Sequence, residues 1–176
     1  GKSSYFVWLN AGKKSVVLDL RRSDQVALLS RLIVQSDVFI QNLKPGALGK
    51  LGFELDVLHA EHPCLISMSI SGFAEDGPGR HRKAYDLLMQ AESGLSAITG
   101  SYHAAGRVGV SLVDIATGQF AYEAILGALI QRGQNGRGAK LSVSLFDAVA
   151  QWLAVPYLLD RYGEAAPERL GLAHPG

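Results

Sequence analysis

Between residues 15 and 70, strand-like and helix-like segments alternate at crossover spacing, and no other feature restricts the fold as much. Residues 15–20 (SVVLDL) are apolar and partly β-branched, as a buried strand requires. Ser23 and Asp24 suit a helix start, and Val26, Leu29, Leu32 and Ile33 follow at helical spacing. Residues 37–40 (DVFI) read as the next strand. The helix between them has about a dozen residues, the length that joins parallel strands. A turn at Lys44-Pro45-Gly46 and a short helix over 55–60 follow. Pro63 stops that helix, and residues 65–70 (LISMSI) make a third strand. The series predicts an α/β fold with an open parallel sheet flanked by helices.

The rest of the chain continues the theme. Residues 71–83 form a loop rich in glycine, proline and charge, and 85–98 return to a helical pattern ending at Gly100. A polar loop runs to Gly109. Residues 114–131 then make a long apolar helix, with Ile115, Phe120, Leu126 and Leu129 as its expected buried face. A Gly-rich turn over 132–138, a strand over 140–145 and a helix over 146–162 carrying Trp152 and Tyr157 complete the series. No apolar run in this reading approaches a membrane span, and no signal-type core opens the chain. A net charge of +1 argues against a broad nucleic-acid surface. The single cysteine, Cys64, excludes an intrachain disulfide and fits a cytoplasmic setting. The abrupt opening on GKSSYFVWLN and the end on HPG read as the borders of a piece cut from a longer protein.

The common nucleotide motifs are missing. No G-x-x-x-x-G-K-[ST] loop occurs, and Gly77 and Gly79 run into Arg80-His81-Arg82 without the third glycine and helix of a dinucleotide fingerprint. His59 and His62 lack a third ligand at metal spacing and read as a solvated pair, so no metal site is expected. Three patterns remain. Residues 41–50 (QNLKPGALGK) follow a strand at the end of the sheet where open α/β folds bind ligands. Asn42 offers an amide there, and Lys44 and Lys50 offer cations for phosphate. The same residues also make an ordinary turn with solvated lysines. In the second pattern, residues 83–91 (KAYDLLMQA), Asp86 sits where it could complement its own helix dipole. In the third, 109–114 (GVSLVD), Asp114 is either a helix cap or a nucleophile kept ionised by helix N–H groups.

Taken in order, these segments resemble the class III coenzyme A transferase family. Residues 10–20 are similar to its N-x-G-K-x-S-x-x-L-D-L stretch, and Asn42 to Gly46 to its N-[FL]-x-P-G turn. Ser69 to Phe73 with Gly77-Pro78, Tyr85-Asp86 with Gln90-Ala91 and Ser93-Gly94, and the G-x-x-x-x-D segment ending at Asp114 continue the likeness. Arg137-Gly138, Val143 and Asp147-Ala148 extend it, so that it runs from about residue 5 to about residue 150.

The resemblance implies a Rossmann-like large-domain core. It implies further that residues 1–176 are one partial CoA-binding and catalytic domain, without the family's extreme N-terminus, small domain and C-terminal return. Asp114 would be the nucleophile that forms a mixed anhydride with the donor acyl group and then an aspartyl-CoA thioester. Tyr85 and Asp86 would flank it in the active site. Leu18, Arg21, Asn42, Leu43, Lys50 and Lys83 match positions that contact CoA, which is a substrate rather than a resident cofactor. The full protein would form an intertwined homodimer, with acyl-CoA and small carboxylic acids as partners and neither nucleic acid nor membrane among them. The family also contains α-methylacyl-CoA racemases, which carry a histidine base where this chain has Tyr85. Tyrosine, with a free pKa of about 10, is a poor base at neutral pH, which favours transfer. A third reading makes the chain an inert core that binds CoA weakly.

Overall fold

The computed structural model describes residues 3–163 and 167–173. Along the chain run α1 (Ser4–Leu9), α2 (Ser23–Val34), β1 (Val38–Gln41), α3 (Ala47–Lys50), α4 (Leu55–Glu61) and β2 (Ile66–Ser71). Then come α5 (Asp86–Glu92), α6 (Leu95–Ile98), β3 (Gly100–Ser101), β4 (Ala104–Ala105), α7 (Leu112–Asn135), β5 (Lys140–Ser144), α8 (Leu145–Trp152) and α9 (Ala154–Tyr162). β1, β2 and β5 form one parallel sheet with β2 in the centre, and helices cover it. The expected architecture is present. β3 and β4 add a small antiparallel hairpin within the stretch read as loop.

The alternation along β2 gives the sheet two unlike faces. Met68 and Ile70, with Val38, Leu141 and Val143 beside them, pack against Ala121 and Ile125 of α7. Ser67 and Ser69 point to the other face and are nearly fully buried. There Ser67 meets His59 of α4 at 3.0 Å, and the Gln41 amide donates to Ser69 Oγ at 3.0 Å. His59 is therefore half-buried against the sheet rather than part of a solvated pair. Its imidazole pKa is pushed down by burial and by the Lys140 charge, against a smaller opposing pull from Asp56. A separate cluster of Ile33, Leu48, Phe53, Leu58 and Leu65 joins α2, α3 and α4 on this side.

Several boundaries differ from the sequence reading, each for a local reason. Residues 15–19 form no strand and Leu20 enters a turn, with Val16 60% and Val17 92% exposed. β-propensity expresses packing against neighbouring strands, and among the described residues no strand lies beside this segment. The predicted helix over 85–98 breaks at Gly94, whose φ of 87° starts a new short helix. The last helix divides at Leu153, because Pro156 has no N–H for the carbonyl of Trp152 and its ring crowds that turn. α7 begins two residues early and runs through the predicted glycine turn, closing only at Gly136 with φ 70°.

The buried stripe of α7 is Val113, Ala116, Thr117, Ala121, Ile125 and Ala128, mostly small residues. Small side chains let the helix approach the sheet closely; of the expected face, Leu129 packs half-buried on the Met68 cluster, whereas Phe120 lies against Trp152 and Leu126 is 40% exposed. By length and composition this helix is apolar enough to cross a membrane, contrary to the expectation that no run approaches that length. Its contacts with β2 and β5 make it a helix that covers the Met68 face of the sheet.

Candidate active site

α7 runs antiparallel to the strands, and this orientation locates the site. At its far end Arg132 donates to the carbonyls of Asp37, one residue before β1, and Cys64, two residues before β2. Its first turn accordingly lies toward the carboxyl ends of the strands, where α/β sheets bind ligands. At that edge the Phe146 N–H donates to the Gly72 carbonyl. Gly72 permits the close approach of the 73–84 loop, since a Cβ there would overlap Ala84.

The start of α7 has no cap of its own, because the Ser111 side chain accepts no N–H. Asp86 supplies one from α5. Its Oδ1 accepts the N–H of Val113 at 2.7 Å and that of Asp114 at 3.3 Å. Its Oδ2 accepts from the Gln90 amide at 2.7 Å. Asp86 thus caps a neighbouring helix, in addition to standing in the first turn of its own.

Asp114 is not the cap; it projects from the first turn of α7 and reaches solvent. Partial loss of water around it pushes its carboxyl pKa above the usual carboxylate range, and the neighbouring Asp86 charge adds to the rise. A carboxylate made more basic in this way, at the positive end of a helix, suits nucleophilic attack.

The other expected site residues fall into three places. Tyr85 precedes α5 directly and is 71% exposed, and Lys83 lies exposed two residues earlier. Leu18 is half-buried on the unpaired 15–20 segment, and Arg21 grips Asp19 through two bonds of 2.8 and 2.9 Å. Asn42 and Leu43 follow β1, and Lys50 ends α3, all exposed. The turn between them, with Gly46 at φ 76°, borders a cleft of about 340 Å³. Lys44, Gly49, Ser69, Ser142 and Lys140 line this cleft, and an Asp56–Lys140 ion pair lies in its wall.

The cleft opens on the Ser69 face of the sheet, whereas α7 covers the opposite face. Among the described residues, no hydrogen bond or ion pair joins Leu18, Arg21, Asn42, Leu43, Lys50 or Lys83 to the Asp86–Asp114 pair. No three His, Cys, Asp or Glu side chains converge as a metal site among these residues either. Gln90 lies in the 83–91 pattern, where the sequence alone assigns it no role. Its spacing of four from Asp86 on a helix is the one local sign that the two side chains meet.

A three-stranded parallel sheet, with an aspartate on the first turn of its covering helix at the strands' carboxyl edge, defines an α/β protein with a ligand-facing end. The chain belongs to CoA-transferase family III, whose family model matches residues 1–176. It is 37% identical over 176 residues to an acetyl-CoA:oxalate CoA-transferase of Acetobacter aceti, covering 99% of this chain and 45% of that protein. Against the succinyl-CoA:glutarate CoA-transferase of Mus musculus it is 35% identical over 177 residues, covering 98% and 40%. A solved CAIB/BAIF family protein from Brucella suis superposes with a TM-score of 0.87 at 36% identity, over 93% of this chain and 44% of the other. The chain therefore spans less than half the length of these relatives.

Proposed function

We propose that the full-length protein transfers coenzyme A from an acyl-CoA donor to a free carboxylic acid, with the Asp114 carboxylate as nucleophile. The observation that carries this reading is the setting of Asp114. It stands on the first turn of α7, beside a second carboxylate that is itself tied to the helix N–H groups. The relatives named for acetyl-CoA:oxalate and succinyl-CoA:glutarate transfer support it.

Asp114 attacks the donor thioester carbonyl, forming a mixed anhydride and releasing CoA thiolate. The thiolate then attacks the aspartyl carbonyl, giving an aspartyl-CoA thioester and freeing the donor acid. The acceptor carboxylate attacks that thioester, making a new anhydride and releasing CoA thiolate again. Attack of the thiolate on the acceptor acyl carbon forms the new acyl-CoA and restores Asp114. Each step exchanges one activated acyl group for another, so the cycle balances without an external energy source. Asp86 holds the start of α7, and its charge adds to the rise in the nucleophile's pKa that partial loss of water causes.

On the same reading Tyr85 shapes the acyl pocket, and CoA extends from this corner toward Lys83, the 42–50 turn and Leu18 with Arg21. Lysine and arginine suit its phosphates, and the amide of Asn42 a polar edge. Residues 1–176 form part of the large domain of a cytoplasmic, intertwined homodimer. Exposed Phe6 and Trp8 on α1, and Val155 and Tyr162 on α9, are apolar surface of the kind a partner or the remaining domain covers.

The test is to incubate the full-length protein with candidate acyl-CoAs, trap with hydroxylamine or borohydride, and map the modified residue. Modification at Asp114 supports the reading. Exchange of the α proton with solvent deuterium and no trapped adduct would replace it with racemase chemistry.

A further inference from the structure

Gln90 is fully buried one helical turn beyond Asp86. A buried primary amide must have both ends satisfied, or each unmet group costs about 1–3 kcal/mol. Here the Oε1 accepts the Val108 N–H at 2.8 Å. The Nε2 donates to Asp86 Oδ2 at 2.7 Å and faces the Val110 carbonyl at 3.5 Å. Because a backbone N–H can only donate, its partner fixes which end of the amide is oxygen, and the NH2 end is turned toward Asp86. The loop over 108–111 is the segment that delivers α7, and Ser111 gives that helix no side-chain cap. Two ties from α5 therefore hold the helix start: Asp86 on the first-turn N–H groups, and Gln90 on the loop before them.

We propose that Gln90 is a positioning residue: by bridging the 108–110 loop to Asp86 it sets where the Asp114 carboxylate stands, without meeting substrate itself. This rests on the reading of Asp114 as nucleophile. A glutamine that merely filled space could be replaced by an apolar residue of equal length at no cost in turnover. A glutamine that aims a reacting group cannot, since displacement by about 1 Å can cost about 100-fold in rate.

The test uses the full-length protein. Gln90→Met keeps length and bulk and removes all three contacts. Its kcat should fall about 10- to 100-fold, with KM for acyl-CoA changed less than about twofold. Gln90→Glu keeps the acceptor for Val108 but sets a second carboxylate against Asp86, and should be impaired at least as much. Adding Asp86→Asn to Gln90→Glu reverses the polarity of that bond, because the asparagine NH2 can donate to Glu while its oxygen still accepts from α7. The double variant should recover about tenfold or more over Gln90→Glu.

Wild-type kcat in Gln90→Met, an effect confined to KM, or no recovery in the double variant would each overturn the proposal. If Gln90→Met does not fold, the comparison of Gln90→Glu with the double variant decides. Hydrogen–deuterium exchange over peptides spanning 108–116 reads the tie without turnover. Exchange should quicken in Gln90→Met and slow again in the double variant, and unchanged exchange would remove the tie. If the wild-type protein transfers no CoA, the proposed function fails, while exchange still tests the tie independently.

Discussion

The junction of α5 with α7 and the segment before α2 each invert the usual placing of polar and apolar side chains. The junction buries polar side chains. Gln90 has no exposed surface, and Asp86 accepts three N–H bonds across two helices. The leading segment is apolar and open to solvent. Val17 is 92% exposed, and α1 displays Phe6 and Trp8. The difference shows that burial follows the availability of partners rather than side-chain polarity. A polar group goes inside when each of its donors and acceptors is met, and a β-branched run stays outside when no strand adjoins it.

The strongest attempt to break the contrast is Asp114→Asn in the full-length protein, which removes the nucleophile and leaves the junction's bonds in place. Turnover should fall at least about 1,000-fold with CoA binding retained, as measured by steady-state kinetics and calorimetry. A fall of tenfold or less would make Asp114 a bystander. Met68→Ala, in the fully buried centre of the sheet, should cost about 2–5 kcal/mol in denaturant unfolding. Asp86→Ala removes the cap of α7 and should cost about 1–2 kcal/mol, with the larger loss in exchange protection at the helix start.

A smaller effect has a definite sign. The Asp114 carboxyl pKa is raised in the folded protein, so its ionised form opposes folding above that value, and the penalty fades as pH falls through it. Asp114→Asn should thus be more stable than wild type near neutral pH. The gap should close on acidification below the carboxylate range, as followed by thermal melts across pH. Val17→Ser should change the stability of the 176-residue chain by less than about 0.5 kcal/mol. A cost above about 1 kcal/mol would mean that the segment packs in solution, and the contrast would be lost.

Much of this was legible in the residues. β1, β2, β5, α2 and α4 announced themselves by apolar runs, helical spacing and the stop at Pro63, because those signals are local. Residues 15–20 carried the same signal and misled, since a strand also needs a neighbour. The inner face of α7 was legible only in part, at Leu129, for a related reason. Large apolar residues mark a buried face only where the neighbour leaves room, and here alanines face the sheet. In the site, Asp114 could be singled out but not separated from an ordinary cap without the ordered family likeness. That Asp86 caps α7, 27 residues away, was not legible at all, because it depends on how two helices meet.

Arg132 gives α7 a property that neither of its ends has alone. Its guanidinium holds the Asp37 carboxylate and two carbonyls at the amino edge of the sheet, while the first turn is held at the opposite edge by Asp86. A helix fastened at both ends acts as a ruler. Each added or deleted residue turns everything beyond it by about 100° and shifts it by about 1.5 Å, so only one length satisfies both fastenings. The distance across the sheet thus dictates how many residues separate Val113 from Arg132, and length variation in this region has to be absorbed outside that span.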